Sequence, residues 1–220
     1  MIVQPAPTND NIYSATLYLE HCGSSISSIL DRFPVTGEYI ADQVALPYLD
    51  MFMNYEGWDR AGSGYFSAVY VRGGLAIKVG LKTEDSGAVY AAWCRANQGR
   101  AGVPVIHAID KFTKCYVVLM DRCYPVKAFP QSMPQGAIDR MDDILYDGQG
   151  PALTPLEDTL TDIRSFFLGI ACFDISDGNV MLDRNLNMVI TDPVSYGSAS
   201  LDDVRSDDEG FSSYPMEMAD

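Results

Sequence analysis

The spacing of apolar and polar positions divides the chain into stretches of different rhythm. After an opening MIVQPAPTNDN, whose Pro and Asn content predicts a loose segment, residues 24–32 and 39–55 carry helical spacing. Residues 1–57 hold no chemical motif and are expected to pack as an N-terminal extension against the domain after them. From Trp58 to Gly80 apolar and small residues alternate around Gly73-Gly74, which predicts two antiparallel strands joined by a Gly-Gly turn. Residues 83–97 predict a helix with Thr83 as N-cap and Val89, Ala92, Trp93 and Ala96 at helical spacing. Residues 103–120 predict two more strands turning near 110–114, with the continuous apolar run CYVVLM as a central strand. DRCYPV then reads as a linker between two lobes. Residues 129–146 open as a Pro-interrupted loop before a short helix with Ile138, Met141 and Leu145 on one face. The best-defined helix covers 154–170. TPLE supplies a capping box with Thr154 at N-cap, Pro155 at the first helical position and Glu157 two residues on, and Leu156, Leu160, Ile163, Phe167 and Ile170 form one stripe.

The chemistry concentrates in CFDISDGNVMLDRNLNMVITDPV, residues 172–194. NMVITD reads as a short strand, VML as its hairpin partner and DRNLN as the polar turn between them. Asp174 and Asn179 therefore lie on the loop entering a hairpin, and Asp192 lies where it leaves, so the three side chains can converge. An amide oxygen and a carboxylate suit Mg²⁺ bridging phosphates, with a second Asp left to orient a hydroxyl. A bare Asx-rich turn is the plainer reading of DISDGN. Upstream, Gly62, Ser63 and Gly64 begin a G-x-G-x-x-G-x-V-like pattern whose third Gly is replaced by Ser67. Glycines there let backbone amides approach phosphates closely, although a plain hairpin would also use them. LAIK ends at Lys78, a lysine among apolar strand residues, which is costly unless an anion meets it. Glu84 and Asp85 fall in the first turn of the following helix, where they either complement its dipole or pair with Lys78.

Net charge narrows the partners. The 220 residues carry a formal charge of −15, which argues against nucleic-acid binding through phosphate contacts. Five cysteines without paired spacing fit a reducing cytoplasm, and two distant histidines argue against a His-based metal site. No apolar run approaches the length of a membrane span. Residues 198–220 hold seven acids and one base, and are expected to be a solvated, disordered tail.

GSGYFSAV, LAIK, DISDGN and ITDPV stand in protein-kinase order. More narrowly, GYFSAVY, AIKVGLKTEDSGAVYAAWCR and FFLGIACFDISDGN with ITDPVSY resemble the early serine/threonine protein kinase of autographiviruses, phages that remodel host transcription soon after infection. The resemblance covers roughly residues 58–197. It implies an α+β, truncated two-lobed protein-kinase-like fold with a small antiparallel-sheet N-lobe over 58–122, a minimal helical C-lobe over 123–197, and the tail from 198. It further implies ATP as phosphoryl donor, with Lys78 on the α- and β-phosphates under the loop from Gly62 to Ser67. Asn179 and Asp192 would bind Mg²⁺, and Asp174 would orient the attacking hydroxyl. Host proteins, transcription machinery among them, would be the substrates in the host cytoplasm.

Departures accompany the likeness. Cys172 and Phe173 replace the usual His-Arg before Asp174, so an activation-loop phosphate has no partner there. Ser176 stands at the usual lysine, Pro193-Val194 replace Phe-Gly, and no A-P-E follows. The chain is expected to end before the helical second half of a full C-lobe. The tail serines Ser198, Ser200, Ser206, Ser212 and Ser213 follow Asp192 closely and are expected targets of the kinase itself. Two other functions share part of this pattern. One is an acidic pseudokinase binding a host machine such as RNA polymerase; the other is a small-molecule phosphotransferase of the aminoglycoside-kinase kind.

Overall fold

The computed structural model describes residues 7–33, 40–64, 67–81, 86–148, 150–176 and 178–196. Among them β1 (Asp59–Ser63), β2 (Ser67–Arg72), β3 (Leu75–Gly80), β4 (Ile106–Lys111) and β5 (Tyr116–Asp121) form one antiparallel sheet in the order β1-β2-β3-β5-β4. β2 and β3 turn at Gly73-Gly74 as the spacing predicts, with Gly73 at φ +59, where a residue without Cβ is unstrained. The expected pair of strands over 58–80 is corrected to three. AGSGYFSAVY folds back on itself, with Ser63 opposite Ala68 and the Gly64 N–H donating to the Ser67 carbonyl at 2.8 Å. β1 is exposed along its whole length, so no buried face holds that stretch straight.

Alternation along the strands divides the sheet between two cores. Ala68 and Tyr70 of β2, Leu75, Ile77 and Val79 of β3, and Val117 and Leu119 of β5 pack against α1 (Asn9–Leu30) and α2 (Ile40–Tyr55). The residues between them on β3, Ala76 and Lys78, face the other way. The extension is thus the lid of the outer sheet face. Asp50 of α2 accepts from the Tyr70 hydroxyl at 3.0 Å and pairs with Arg60 at 3.1 Å. The Arg72 guanidinium lies 4.4 Å from the Trp58 ring centroid and 5.7 Å from that of Tyr18 on α1.

The expected loose opening is corrected over its last residues, because α1 starts at Asn9, not near residue 24; residues 1–6 lie outside the described residues. Thr8 caps it, its Oγ1 accepting from the Asn11 N–H at 3.3 Å, so residues that read as turn formers serve the helix start. Gly23 lies inside α1, where a Cβ would collide with the Phe112 ring.

The second core lies on the opposite face. It joins α3 (Ser86–Ala96), α4 (Ala137–Tyr146) and α5 (Pro155–Phe167) to the small strands β6 (Tyr124–Pro125), β7 (Cys172–Phe173), β8 (Val180–Leu182), β9 (Met188–Ile190) and β10 (Val194–Ser195). DRCYPV is less of a free linker than expected: Tyr124 and Pro125 pair with Leu182 and Met181, which ties the passage between the halves to the hairpin. Thr154 caps α5 as predicted, accepting from the Glu157 N–H at 3.2 Å, while Glu157 accepts from the Leu153 N–H at 2.6 Å, one residue before the cap. α5 stops at Phe167, not 170, because Gly169 adopts φ +78 and turns the chain, leaving Ile170 exposed. Thr83 and residues 197–220 lie outside the described residues. Among the described residues no helix is long and apolar enough to cross a membrane.

Gly80 sits opposite Tyr116, whose ring is wholly buried, and a Cβ on Gly80 would overlap that ring. Gly80→Ala is expected to lower stability by about 1–3 kcal/mol through overpacking. Urea unfolding should show a lower midpoint with an unchanged slope; an unchanged midpoint would refute this close approach.

Candidate active site

The cleft face of the sheet follows from the same alternation. Val69 and Val71 of β2, Ala76 and Lys78 of β3 and Met120 of β5 are cross-strand neighbours on that face. With Gly62, Ser63, Gly64 and Ser67 at the β1–β2 turn, and with Cys123, Asn179, Met181, Thr191 and Asp192 opposite, they line a cleft of about 380 Å³. The lining joins apolar side chains to Lys78, Asn179, Thr191 and Asp192, the composition expected of a ligand cleft.

Lys78 occupies the middle strand of the sheet, and its side chain is only 13% exposed. An ammonium there requires an anion. Asp192 provides it, with Nζ to Oδ2 at 2.8 Å across 114 residues of sequence, while the carboxylate itself remains 38% exposed. Glu84 and Asp85, the partners considered from sequence, lie outside the described residues.

Asp192 is delivered by the β8–β9 hairpin, whose turn Asp183 organises. Its Oδ1 accepts from the Asn185 and Asn187 N–H groups at 2.7 and 2.9 Å, and Leu186 takes up φ +64. Across the hairpin, the Asn179 carbonyl accepts from both the N–H and the hydroxyl of Thr191, at 2.8 and 3.1 Å. The Asn179 amide nitrogen donates to the Asp174 carbonyl at 2.8 Å, which leaves its Oδ1 as the group to offer the cleft. Asp174 follows β7, which pairs with β10, and its N–H donates to the Pro193 carbonyl at 2.8 Å. It is exposed beside Asp192 and does not itself line the cleft.

Lys78, Asn179, Asp192, Gly62, Ser63, Gly64 and Ser67 thus share one cleft, with Asp174 at its edge. Among the described residues no group of three His, Cys, Asp or Glu side chains could hold a metal alone. Asn179 Oδ1 and the Asp192 carboxylate are two hard oxygen donors, which fits a Mg²⁺ completed by phosphate oxygens and water. Gly62 supports the same reading, since neither its backbone angle nor any atom within 4 Å of a Cβ requires glycine there. The free space belongs to the cleft. Burial pushes the Cys123 thiol up to about 12, so it lines the cleft as a small apolar group and not as a nucleophile.

Sequence reasoning missed Thr191, Ser86 and Tyr90. Tyr90 donates to the Ile190 carbonyl and Ser86 to that of Val194, both at 2.9 Å. For Ser86 and Tyr90 the signal was two polar residues four apart on the buried, otherwise apolar face of α3.

An antiparallel sheet facing a hairpin that presents an Asn and an Asp to a strand lysine gives a mixed α/β, protein-kinase-like fold. A model of the family described as "Bacteriophage T7 protein kinase 0.7" matches residues 33–218, and the chain belongs to that family. No curated protein gives a significant match. Among solved structures the chain is similar to WbdD in co-crystal with the kinase inhibitor LY294002, at 12% identity and a TM-score of 0.32, over 64% of this chain and 34% of that one. A second WbdD structure, described as a bifunctional kinase-methyltransferase, gives 14% identity and a TM-score of 0.28, over 62% and 32%. The chain therefore spans about a third of the length of these structures.

The Lys78–Asp192 pair is asymmetric in burial, and its variants should differ in stability. Lys78→Met removes the more buried charge and replaces it with an apolar chain beside Val69 and Ala76. Asp192→Ala leaves a nearly buried ammonium without its partner, a loss of about 1–3 kcal/mol. Thermal melts should place Asp192→Ala clearly below Lys78→Met; the reverse order would mean that the pair is not formed in solution.

Proposed function

We propose that this protein is an ATP- and Mg²⁺-dependent serine/threonine kinase that phosphorylates host proteins during phage takeover, transcription machinery among them. The observation that supports it most is the single cleft shared by Gly62, Ser63, Gly64, Ser67, Lys78, Asn179 and Asp192, with Asp174 beside Asp192. Kinases use ATP generally, and each residue has a task in that chemistry. Lys78 is the cation for the α- and β-phosphates. Asn179 and Asp192 hold Mg²⁺, which when bound neutralises charge on the phosphates. Asp174 orients the acceptor hydroxyl and takes its proton as that oxygen bonds to the γ-phosphorus. The bond from γ-phosphorus to the bridging oxygen breaks, and ADP leaves with the electron pair. Net charge favours basic protein surfaces over nucleic acid as partners.

Pure protein, labelled ATP, Mg²⁺ and host lysate test this reading. Asp174→Asn is expected to lower transfer by on the order of 10²–10⁴ while nucleotide binding persists. Lys78→Met is expected to weaken nucleotide binding as well as transfer. Transfer at the wild-type rate in Asp174→Asn would exclude its assignment, and labelled tyrosine in place of serine and threonine would exclude the specificity.

The serines at 198, 200, 206, 212 and 213 are proposed targets of the same site, because a short tether gives a local concentration of about millimolar. Mass spectrometry of the wild type should show tail phosphates that an Asp192→Ala protein, expressed alongside, lacks. The same phosphates on both proteins would assign the modification to another kinase.

A further inference from the structure

The segment that carries Asp192 is held from behind by a helix that contributes no acid to the cleft among its described residues. Within α3, Ser86 and Tyr90 are 3% and 2% exposed and lie four residues apart, on one face. The Tyr90 hydroxyl donates to the carbonyl two residues before Asp192, at Ile190, and the Ser86 hydroxyl donates to the carbonyl two residues after it, at Val194. From the other side Thr191 is bonded to Asn179, and Pro193 accepts from Asp174. The main chain is therefore fixed at Ile190, Thr191, Pro193 and Val194, and only the Asp192 side chain is left to answer to the cleft.

We infer that Ser86 and Tyr90 are positioning residues for Asp192: their paired hydroxyls set the height of the Asp192 carboxylate, and so couple the placement of α3 to metal binding at that carboxylate. The inference rests on the kinase reading of the cleft. Burial raises the Tyr90 hydroxyl well above its ordinary ionisation range, so it stays a donor wherever the protein is folded. Both bonds go to main-chain carbonyls. They therefore constrain where the strand lies without touching nucleotide or substrate, which separates this role from catalysis. A structural role alone would lower stability and leave the metal site's affinity unchanged.

The test is calorimetric titration of the full chain with adenylyl imidodiphosphate, once with Mg²⁺ and once with EDTA. It compares the wild type with Tyr90→Phe, Ser86→Ala and the double variant. Tyr70→Phe serves as control, since it removes a part-buried hydroxyl bond, to Asp50, on the far side of the sheet. The gain in affinity that Mg²⁺ confers is expected to fall about three- to tenfold for each hydroxyl removed, and affinity in EDTA to stay within about twofold. Tyr70→Phe should melt earlier than the wild type and keep both affinities. The inference is overturned if the double variant keeps the full Mg²⁺ gain, or if Tyr70→Phe loses as much of it. A wild-type chain that binds the nucleotide with no Mg²⁺ gain would refute the metal assignment itself, and this inference with it. A normal wild-type gain retained by the variants would refute the inference alone.

Discussion

A lysine ammonium on the middle strand of a sheet, almost without solvent, governs the architecture. Lys78 needs an anion, and the chain brings one from 114 residues away. That single requirement fixes the face of the sheet on which the second half must dock. It also demands that the hairpin bearing Asp192 approach the strand within hydrogen-bonding distance. The two cores serve this arrangement from opposite sides. The outer one, under α1 and α2, stiffens the sheet; the inner one, around α3, α5 and the hairpin, holds the carboxylate at the right place. The same pairing makes the site polar at the point where an anionic ligand would have to displace or join Asp192.

The convergence of Asp174, Asn179 and Asp192 was legible because their spacing is local. D-x-x-x-x-N and the strand-borne Asp fall within one loop and one hairpin, and the alternation over 75–80 assigns Lys78 to the face opposite Ile77. Other features depend on contacts that spacing does not encode. The segment before residue 24 gives no sign of the Phe112 ring pressed on Gly23, and Asn9 to Asn11 read as part of a loose opening until Thr8 is seen capping α1. The β1–β2 fold-back replaces one strand by two because β1 lacks a buried face. Tyr124 and Pro125 read as a linker because their partners, Leu182 and Met181, lie far along the chain. The roles of Ser86 and Tyr90 were illegible for the same reason: each bonds to a carbonyl about a hundred residues away, and carbonyls have no sequence signature.

The residues before Asp174 explain how the loop is held without the arginine usual there. Cys172 and Phe173 pair with Ser195 and Val194. The Tyr146 hydroxyl donates to the Phe173 carbonyl, and the two rings meet edge-on at 6.0 Å. The loop is positioned by a two-residue ladder and an aromatic contact. Pro193 adds stiffness, since its ring restricts the backbone beside Asp192 and its carbonyl is committed to Asp174.

The division between the cores has a consequence for synthesis. Every buried residue of the outer core lies between Ala15 and Leu119, so that half can close while the ribosome is still making the rest. The inner core draws on residues from Tyr90 to Val194 and stays open until the hairpin has emerged. In the order of synthesis Lys78 therefore precedes its counter-charge by 114 residues. The cleft is complete only when the hairpin has brought Asp192 to Lys78.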